Sequence, residues 1–231
     1  MAERKKIAVL SGAGISAESG ISTFRDSNGL WENYKVEEVA TAESWYYYGR
    51  KELMLNFYNA RRRDLKTKEP NLAHKIVAEL EKWYDVTVAT QNIDNLHERG
   101  GSTNIIHLHG ELTKARGEDS DYYNTIEIGY NDIHLGDKSP RGEQLRPHIV
   151  WFGEQVPELE RAARAVQEAD IMIVVGTSLA VYPAAGLLGY ARSSAEIYLV
   201  DPADVQTHYR CEHIKEKATV GMQKLLERLK G

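Results

Sequence analysis

Residues 9–25 read VLSGAGISAESGISTFR, and the reading of this stretch decides the fold. The apolar run Ile7, Ala8, Val9 and Leu10 predicts a buried strand. It breaks at Gly12-Ala13-Gly14, and the residues after it have the character of a helix start. Such a turn suits a pyrophosphate, because glycines let the backbone approach and N–H groups at a helix N-terminus face the anion. Read as G-x-G-x-x-A, Gly12, Gly14 and Ala17 fit the dinucleotide-binding fingerprint in its Ala variant. Gly-rich strand–helix turns also occur with no ligand, so the remaining chain must supply the context.

Working outward, residues 70–83 (PNLAHKIVAELEKW) put Leu72, Ile76, Val77 and Leu80 on one helical face, with Pro70 near the start. His74 within that helix reads as a packing or surface residue. Residues 85–90 (DVTVAT) predict a strand ending in Gln91-Asn92-Ile93-Asp94. Polar residues there lie where open α/β sheets bind ligands, although Asn and Asp also cap turns. Residues 104–110 (NIIHLHG) predict another strand, on which His107 and His109 share a face. Such a pair can ligate a metal, but no third ligand stands out nearby in sequence. Gly110 follows His109 at the strand end, where a base is exposed. Residues 170–175 (DIMIVV) form a further apolar strand, with Gly176-Thr177-Ser178 as a second glycine–hydroxyl turn. Residues 195–200 predict a strand running into Asp201-Pro202, and residues 157–168, 183–192 and 219–229 read as helices. This alternation implies an α/β fold, a Rossmann-like, doubly wound parallel sheet with a smaller inserted module.

The chain departs from an ordinary dehydrogenase after the glycine turn. A Rossmann half places a ribose-binding acid about 20 residues on, at the end of a second strand. Residues 36–66 instead read as helices rich in Glu, Tyr, Leu and Arg. Residues 113–146 are polar, with a short strand expected at 125–130 and with Glu118, Asp119 and Asp121 reading as solvated acids. Residues 146–154 (RPHIVWFGE) are extended and aromatic, either an edge that pairs with a peptide or a core strand. A net charge of −5 over 231 residues gives no footprint for nucleic acid. The polar start and the short apolar runs predict neither a signal peptide nor a membrane span, so a cytoplasmic protein is expected. The single cysteine, Cys211, allows no intrachain disulfide and no cysteine-cluster metal site.

GAGISAESGISTFR, TQNID, HLHG, VWFGE and GTSL occur in this order along the chain. Together they resemble the sirtuins, the NAD-dependent protein-lysine deacylases, and the resemblance runs from Ile7 to the final helix. It implies NAD as a consumed co-substrate and an acyl-lysine protein or peptide as partner, with no nucleic acid, no membrane and an undetermined oligomeric state. By the same resemblance Gly12, Ala13, Gly14 and Ser16 line the pyrophosphate, with Ala17 at the adjoining helix start. Phe24 and Arg25 sit on a cofactor-covering loop, and Gln91, Asn92 and Asp94 surround the nicotinamide ribose and carboxamide. Gly176, Thr177 and Ser178 contact the adenosine side, with Val200, Asp201 and Ala218 near the adenine. His109 is the implied general base, with Asn92 beside it, and Val150, Phe152, Gly153 and Glu154 bind substrate. In the implied reaction the acyl-lysine carbonyl oxygen attacks the ribose as nicotinamide leaves. The histidine then deprotonates a ribose hydroxyl, giving free lysine and O-acyl-ADP-ribose.

Tyr58 and Arg61 lie three residues apart, on one face of a helix. This Y-x-x-R spacing resembles the family members that prefer succinyl or malonyl over acetyl, since Arg offers a fork for a carboxylate and Tyr a donor. The alternative is a solvated basic face at Arg61-Arg62-Arg63 with Tyr58 simply packed. Most sirtuins hold a structural zinc with two cysteine pairs, whereas residues 111–146 contain no cysteine. No zinc is therefore expected, and the module is expected to pack through Tyr122, Tyr123, Ile126, Ile128 and Tyr130. The organisation implied is one catalytic domain, with a Rossmann-like part at about 1–35, 69–111 and 146–231 and a small module at about 36–68 and 112–145. A protein ADP-ribosyltransferase and a non-catalytic NAD or ADP-ribose binding module are the rival readings. A hydride-transferring dehydrogenase is disfavoured by the missing ribose-binding acid.

Overall fold

The computed structural model describes residues 4–22 and 34–230, so Phe24 and Arg25 lie outside the described residues. Its strands are β1 (Lys6–Ser11), β2 (Asp85–Thr90), β3 (Ile105–His107), β4 (Gly110–Gly117), β5 (Thr125–Glu127), β6 (Leu145–Ile149), β7 (Ile171–Val175), β8 (Glu196–Val200) and β9 (Glu212–Ile214). The helices are α1 (Ala13–Ala17), α2 (Val36–Val39), α3 (Ala42–Tyr46), α4 (Lys51–Leu65), α5 (Leu72–Leu80), α6 (Leu96–Gly100), α7 (Leu159–Glu168) and α8 (Ala218–Lys230). Residues expected as a helix at 183–192 form a 3₁₀ helix, Ala184–Tyr190.

Six strands pair in the order β3-β2-β1-β7-β8-β9, every pairing parallel. With β4 to β6 set aside, that is the 3-2-1-4-5-6 order of a dinucleotide-binding sheet. The apolar run in β1 is continuous because both faces of the strand are covered. Ile7 and Val9 pack with α5 and α8 through Ile76, Val77, Leu80, Met222 and Leu225. Ala8 and Leu10 face the other way, against Ala162, Val166, Leu187 and Leu188 from α7 and the 3₁₀ helix.

β4, β5 and β6 form a separate antiparallel sheet in the order β5-β4-β6. With α2 to α4 it encloses a third core, which includes Trp45, Met54, Leu55, Phe57, Tyr58, Leu112, Ile149 and Trp151. Several expectations are corrected here. β3 stops at His107, so His109 falls in the turn beyond it and the two histidines do not share a strand face. Residues 146–149 do not return to the large sheet: β6 pairs with β4, and Arg146, Pro147, His148 and Ile149 are buried. The segment is thus a core strand up to Ile149. Beyond it, Phe152 bridges to residues 40–42 through both of its backbone polar groups. Glu118 is no solvated acid, since its carboxylate accepts from the Trp45 indole N–H at 3.0 Å and pairs with Lys51. Ile128 and Tyr130 do pack against the module core, whereas Tyr123 is exposed.

Candidate active site

The carboxyl ends of β1, β2 and β7 meet where the sheet order reverses, which is where such sheets bind ligands. The two glycine turns touch each other there. Gly12 N–H donates to the Val175 carbonyl at 3.0 Å and Gly14 N–H to the Gly176 carbonyl at 2.8 Å. A Cβ on Gly12 or on Gly14 would lie 2.7 Å from atoms of the other turn. Gly176 has φ +63°, and its Cβ would lie 2.2 Å from the Ile15 nitrogen. The glycines are therefore required for turn-on-turn packing. This corrects one expectation, because the N–H groups of Gly12 and Gly14 are committed to β7 and its turn. Ala17 is exposed, whereas Ile15 and Ser16 face inward, so Ala17 does not make the helix–sheet contact of a fingerprint third position.

Gln91 joins these turns to the histidine. Its N–H donates to the Ser11 carbonyl at 2.9 Å, and its amide donates to Thr177 Oγ1 at 3.1 Å. Its own carbonyl lies 2.9 Å from His109 Nδ1. A carbonyl only accepts, so Nδ1 carries the hydrogen and Nε2 of the neutral ring carries the lone pair. Burial pushes the His109 pKa below the usual imidazole value, partly offset by the Gln91 bond, so the ring is neutral at cell pH. A fixed tautomer with a bare Nε2 is what proton removal needs.

Beside it, Asn92 donates to the Gly12 carbonyl at 3.1 Å and to Ser16 Oγ at 3.2 Å. Ser16 Oγ donates to Asp94 Oδ2 at 3.0 Å, while Asp94 Oδ1 accepts from Leu96 N–H at 3.0 Å, just ahead of α6. Burial raises the Asp94 pKa against these bonds. His74, expected as a packing or surface residue, is fully buried, accepts the Asn71 N–H at Nδ1 and reaches Ser16 with Nε2 at 3.3 Å. Burial holds its pKa down to about 4. Ser11, Thr90 and His97 continue the network underneath, with Ser11 Oγ 2.9 Å from both partners.

His107 has the opposite character. Both of its nitrogens face oxygens, Glu98 Oε1 at 2.6 Å and the Asn92 carbonyl at 3.4 Å. Burial alone would lower its pKa, but the Glu98 bond and charge, with Glu111, raise it. Folding does bring a metal-like trio together, since ligand atoms of Glu98, His107 and Glu111 lie within 4.8 Å of one another. Lys114 bonds Glu111 at 2.6 Å and so sets a cation of the protein against the trio.

The second wall comes from α4 and residues 150–154. Val150 N–H donates to the His109 carbonyl at 2.9 Å, which ties this segment directly to the histidine. Tyr58 is buried and accepts from the Trp151 indole N–H at 3.0 Å; burial raises its pKa to about 12. Arg61 is half-buried beside the Phe57 ring, its pKa lowered by burial and held up by Tyr58, Asp94 and Asp64. Phe152 is half exposed, and Gly153 takes φ +92° to turn the chain. Glu154, expected to bind substrate, instead turns inward. It pairs with both terminal nitrogens of Arg146 at 2.6 and 3.1 Å and accepts from Trp151 N–H at 2.7 Å. On the other flank the Val200 and Ala218 side chains belong to the core, leaving only their backbones to meet a ligand. Asp201 is buried and accepts from Ala203 N–H at 2.9 Å, and Ser178 is half-buried. Trp151 and His97 carried no signal separable from ordinary core residues, because their hydrogen-bond partners Tyr58 and Ser11 lie far away in sequence.

The two packed glycine turns form one wall of the candidate site, and the amides and hydroxyls of Gln91, Asn92, Thr177 and Ser178 stand around them. This donor set suits the phosphates and riboses of a dinucleotide. No helix among the described residues is long and apolar enough to cross a membrane.

Comparison with known proteins fits this geometry. The Sir2 family profile matches residues 12–183. A protein of Bacteroides thetaiotaomicron named NAD-dependent protein deacylase is 53% identical over 231 residues, covering 97% of this chain and 98% of the relative. A Helicobacter pylori protein of the same name is 49% identical, covering 97% of each chain. A solved complex of a Sir2 homologue with NAD superposes with TM-score 0.87 at 37% identity, covering 99% of this chain and 90% of that one.

Proposed function

The chain belongs to the Sir2 family, and on that premise we propose that it is an NAD-dependent protein-lysine deacylase that favours acidic acyl groups, succinyl or malonyl, over acetyl. NAD supplies the ADP-ribosyl group that accepts the acyl chain, with loss of nicotinamide. The chain's part is to bind, orient and move one proton. The glycine-lined wall and the Gln91–Asp94 turn hold the dinucleotide, and His109 takes a hydroxyl proton at Nε2. The Nδ1–H bond to Gln91 keeps the neutral imidazole in that tautomer before transfer and still holds the imidazolium in place after it. This one contact carries the reading, because the same Gln91 also reaches Thr177 on the second glycine turn, which supports a base beside the cofactor site.

The acyl preference rests on Tyr58 and Arg61. A contact path runs from His109 through Val150 and Trp151 to Tyr58, and Arg61 lies within electrostatic reach of Asp94. A guanidinium and a phenol O–H held together near the base form a receptor for a carboxylate at the end of an acyl chain. The test is a panel of acetyl-, succinyl- and malonyl-lysine peptides with NAD, following nicotinamide release. Succinyl and malonyl peptides should outpace acetyl, with O-acyl-ADP-ribose among the products. A faster acetyl reaction overturns the preference. Transfer of ADP-ribose to a protein, without deacylation, overturns the activity.

A further inference from the structure

We propose that Trp151 is a specificity-determining positioning residue, which fixes Tyr58 as a hydrogen-bond donor toward an acidic acyl group; this rests on the acyl reading above. The Trp151 indole N–H donates to Tyr58 Oη at 3.0 Å. An indole nitrogen donates only, so the phenol hydrogen cannot point back at Trp151 and must be directed elsewhere. Tyr58 is 3% exposed and burial keeps its hydroxyl protonated far above neutral pH, so it stays a donor. A phenol whose accepting side is already occupied selects for a partner that accepts, such as a carboxylate, and gives less to an acetyl methyl.

The indole is held from several directions. The Arg146 guanidinium carbon sits 3.5 Å from the centre of the Trp151 ring, and the Trp45 ring lies 5.3 Å away on centroids. Arg146 is 1% exposed and is itself fixed by Glu154, by the Ile149 carbonyl at 2.9 Å and by Tyr46 Oη at 3.1 Å. Glu154 then closes onto the Trp151 backbone N–H. The next residue upstream, Val150, is bonded to His109. The acyl-end donor and the base are therefore set by one short segment, and a shift in that segment moves both.

The test compares Trp151→Phe, and the isosteric replacement of Trp151 by benzothienylalanine, with Tyr58→Phe and the double variant. The readout is the ratio of kcat/KM for succinyl- over acetyl-lysine peptide, with KM for NAD measured alongside. Loss of one neutral hydrogen bond should lower that ratio about fivefold, chiefly through KM for the succinyl peptide. In the Tyr58→Phe background, removing the indole N–H should lower it no further. The benzothienyl analogue keeps the ring shape, so it serves if Trp151→Phe fails to fold. An unchanged ratio in both Trp151 variants, with a lowered ratio in Tyr58→Phe, overturns the proposal and leaves the acyl preference standing. An unchanged ratio in Tyr58→Phe as well overturns both.

Discussion

The carboxyl edge of the parallel sheet and the small antiparallel module both hold irregular backbone in place, with opposite materials. At the sheet edge the parts around His109 are mostly neutral: glycines in mutual contact, hydroxyls, carboxamides, and two histidines that burial keeps uncharged, with buried Asp94 beside them and the His107–Glu98 pair at the end of β3. In the module the parts are charged and aromatic: Arg146 on Glu154 and Trp151, Lys51 on Glu118, and Arg116 donating to His148 at 3.0 Å. A mostly neutral edge leaves room for the charges of a dinucleotide and keeps a base unprotonated. A charged, stacked module cross-links its irregular backbone through its own side chains.

The two histidines of HLHG sharpen that difference most. His109→Ala should cut turnover by about 10²- to 10⁴-fold, the usual worth of a general base, whereas His107→Gln should cost under about tenfold because its ring serves an ion pair. Single-turnover rates decide this, and equal losses would break the distinction. Next, Arg61→Met should cost succinyl-lysine about 2–5 kcal/mol more than acetyl-lysine in kcat/KM, the cost of leaving a carboxylate unpaired in a closed site. Equal losses on both substrates contradict the receptor.

In the module, Glu154→Ala should lower unfolding free energy by about 3 kcal/mol, since it strands a buried guanidinium. Urea melts check it, and a loss below about 1 kcal/mol would mean the pair is no more than a surface bridge. At the sheet edge, native His74 stays neutral down to about pH 4 while the unfolded imidazole takes its proton near 6.5. Protonation thus favours the unfolded chain, so its contribution is intact above pH 6.5 and fades toward pH 4, by roughly 2–3 kcal/mol. A His74→Gln variant should show a flatter stability curve over that window. Smallest of all, exhaustive chelation should leave activity and melting temperature unchanged, and elemental analysis should find no stoichiometric zinc. One zinc per chain would contradict the metal-free account of the module.

The large sheet was legible because its signals are local. Continuous apolar runs such as IAVL and IMIVV, each followed by glycine or a polar cluster, fit doubly covered parallel strands. His109 and the Gln91–Asp94 turn follow such strands, but only the family resemblance gives them roles. The module was not legible. β6 pairs with β4 across about thirty residues, and Glu118 finds Lys51 and Trp45 on another element, so nothing near these residues announces their partners. The inward turn of Glu154 escaped likewise, since an acid beside a glycine reads as exposed until a buried arginine is placed against it. The strand at residues 104–110 was overextended because a turn hides inside its alternating apolar pattern, and Gly110 is the sign of it. Gly110 has φ +80°, and a Cβ there would lie 2.0 Å from the His148 carbonyl oxygen.

The most direct test mixes His109→Ala with saturating NAD and a succinyl-lysine peptide in a single turnover, with NAD affinity measured on the same sample. NAD should bind as it does to the unaltered protein, while O-acyl-ADP-ribose fails to form. Product at the unaltered rate would contradict a proton transfer at this imidazole.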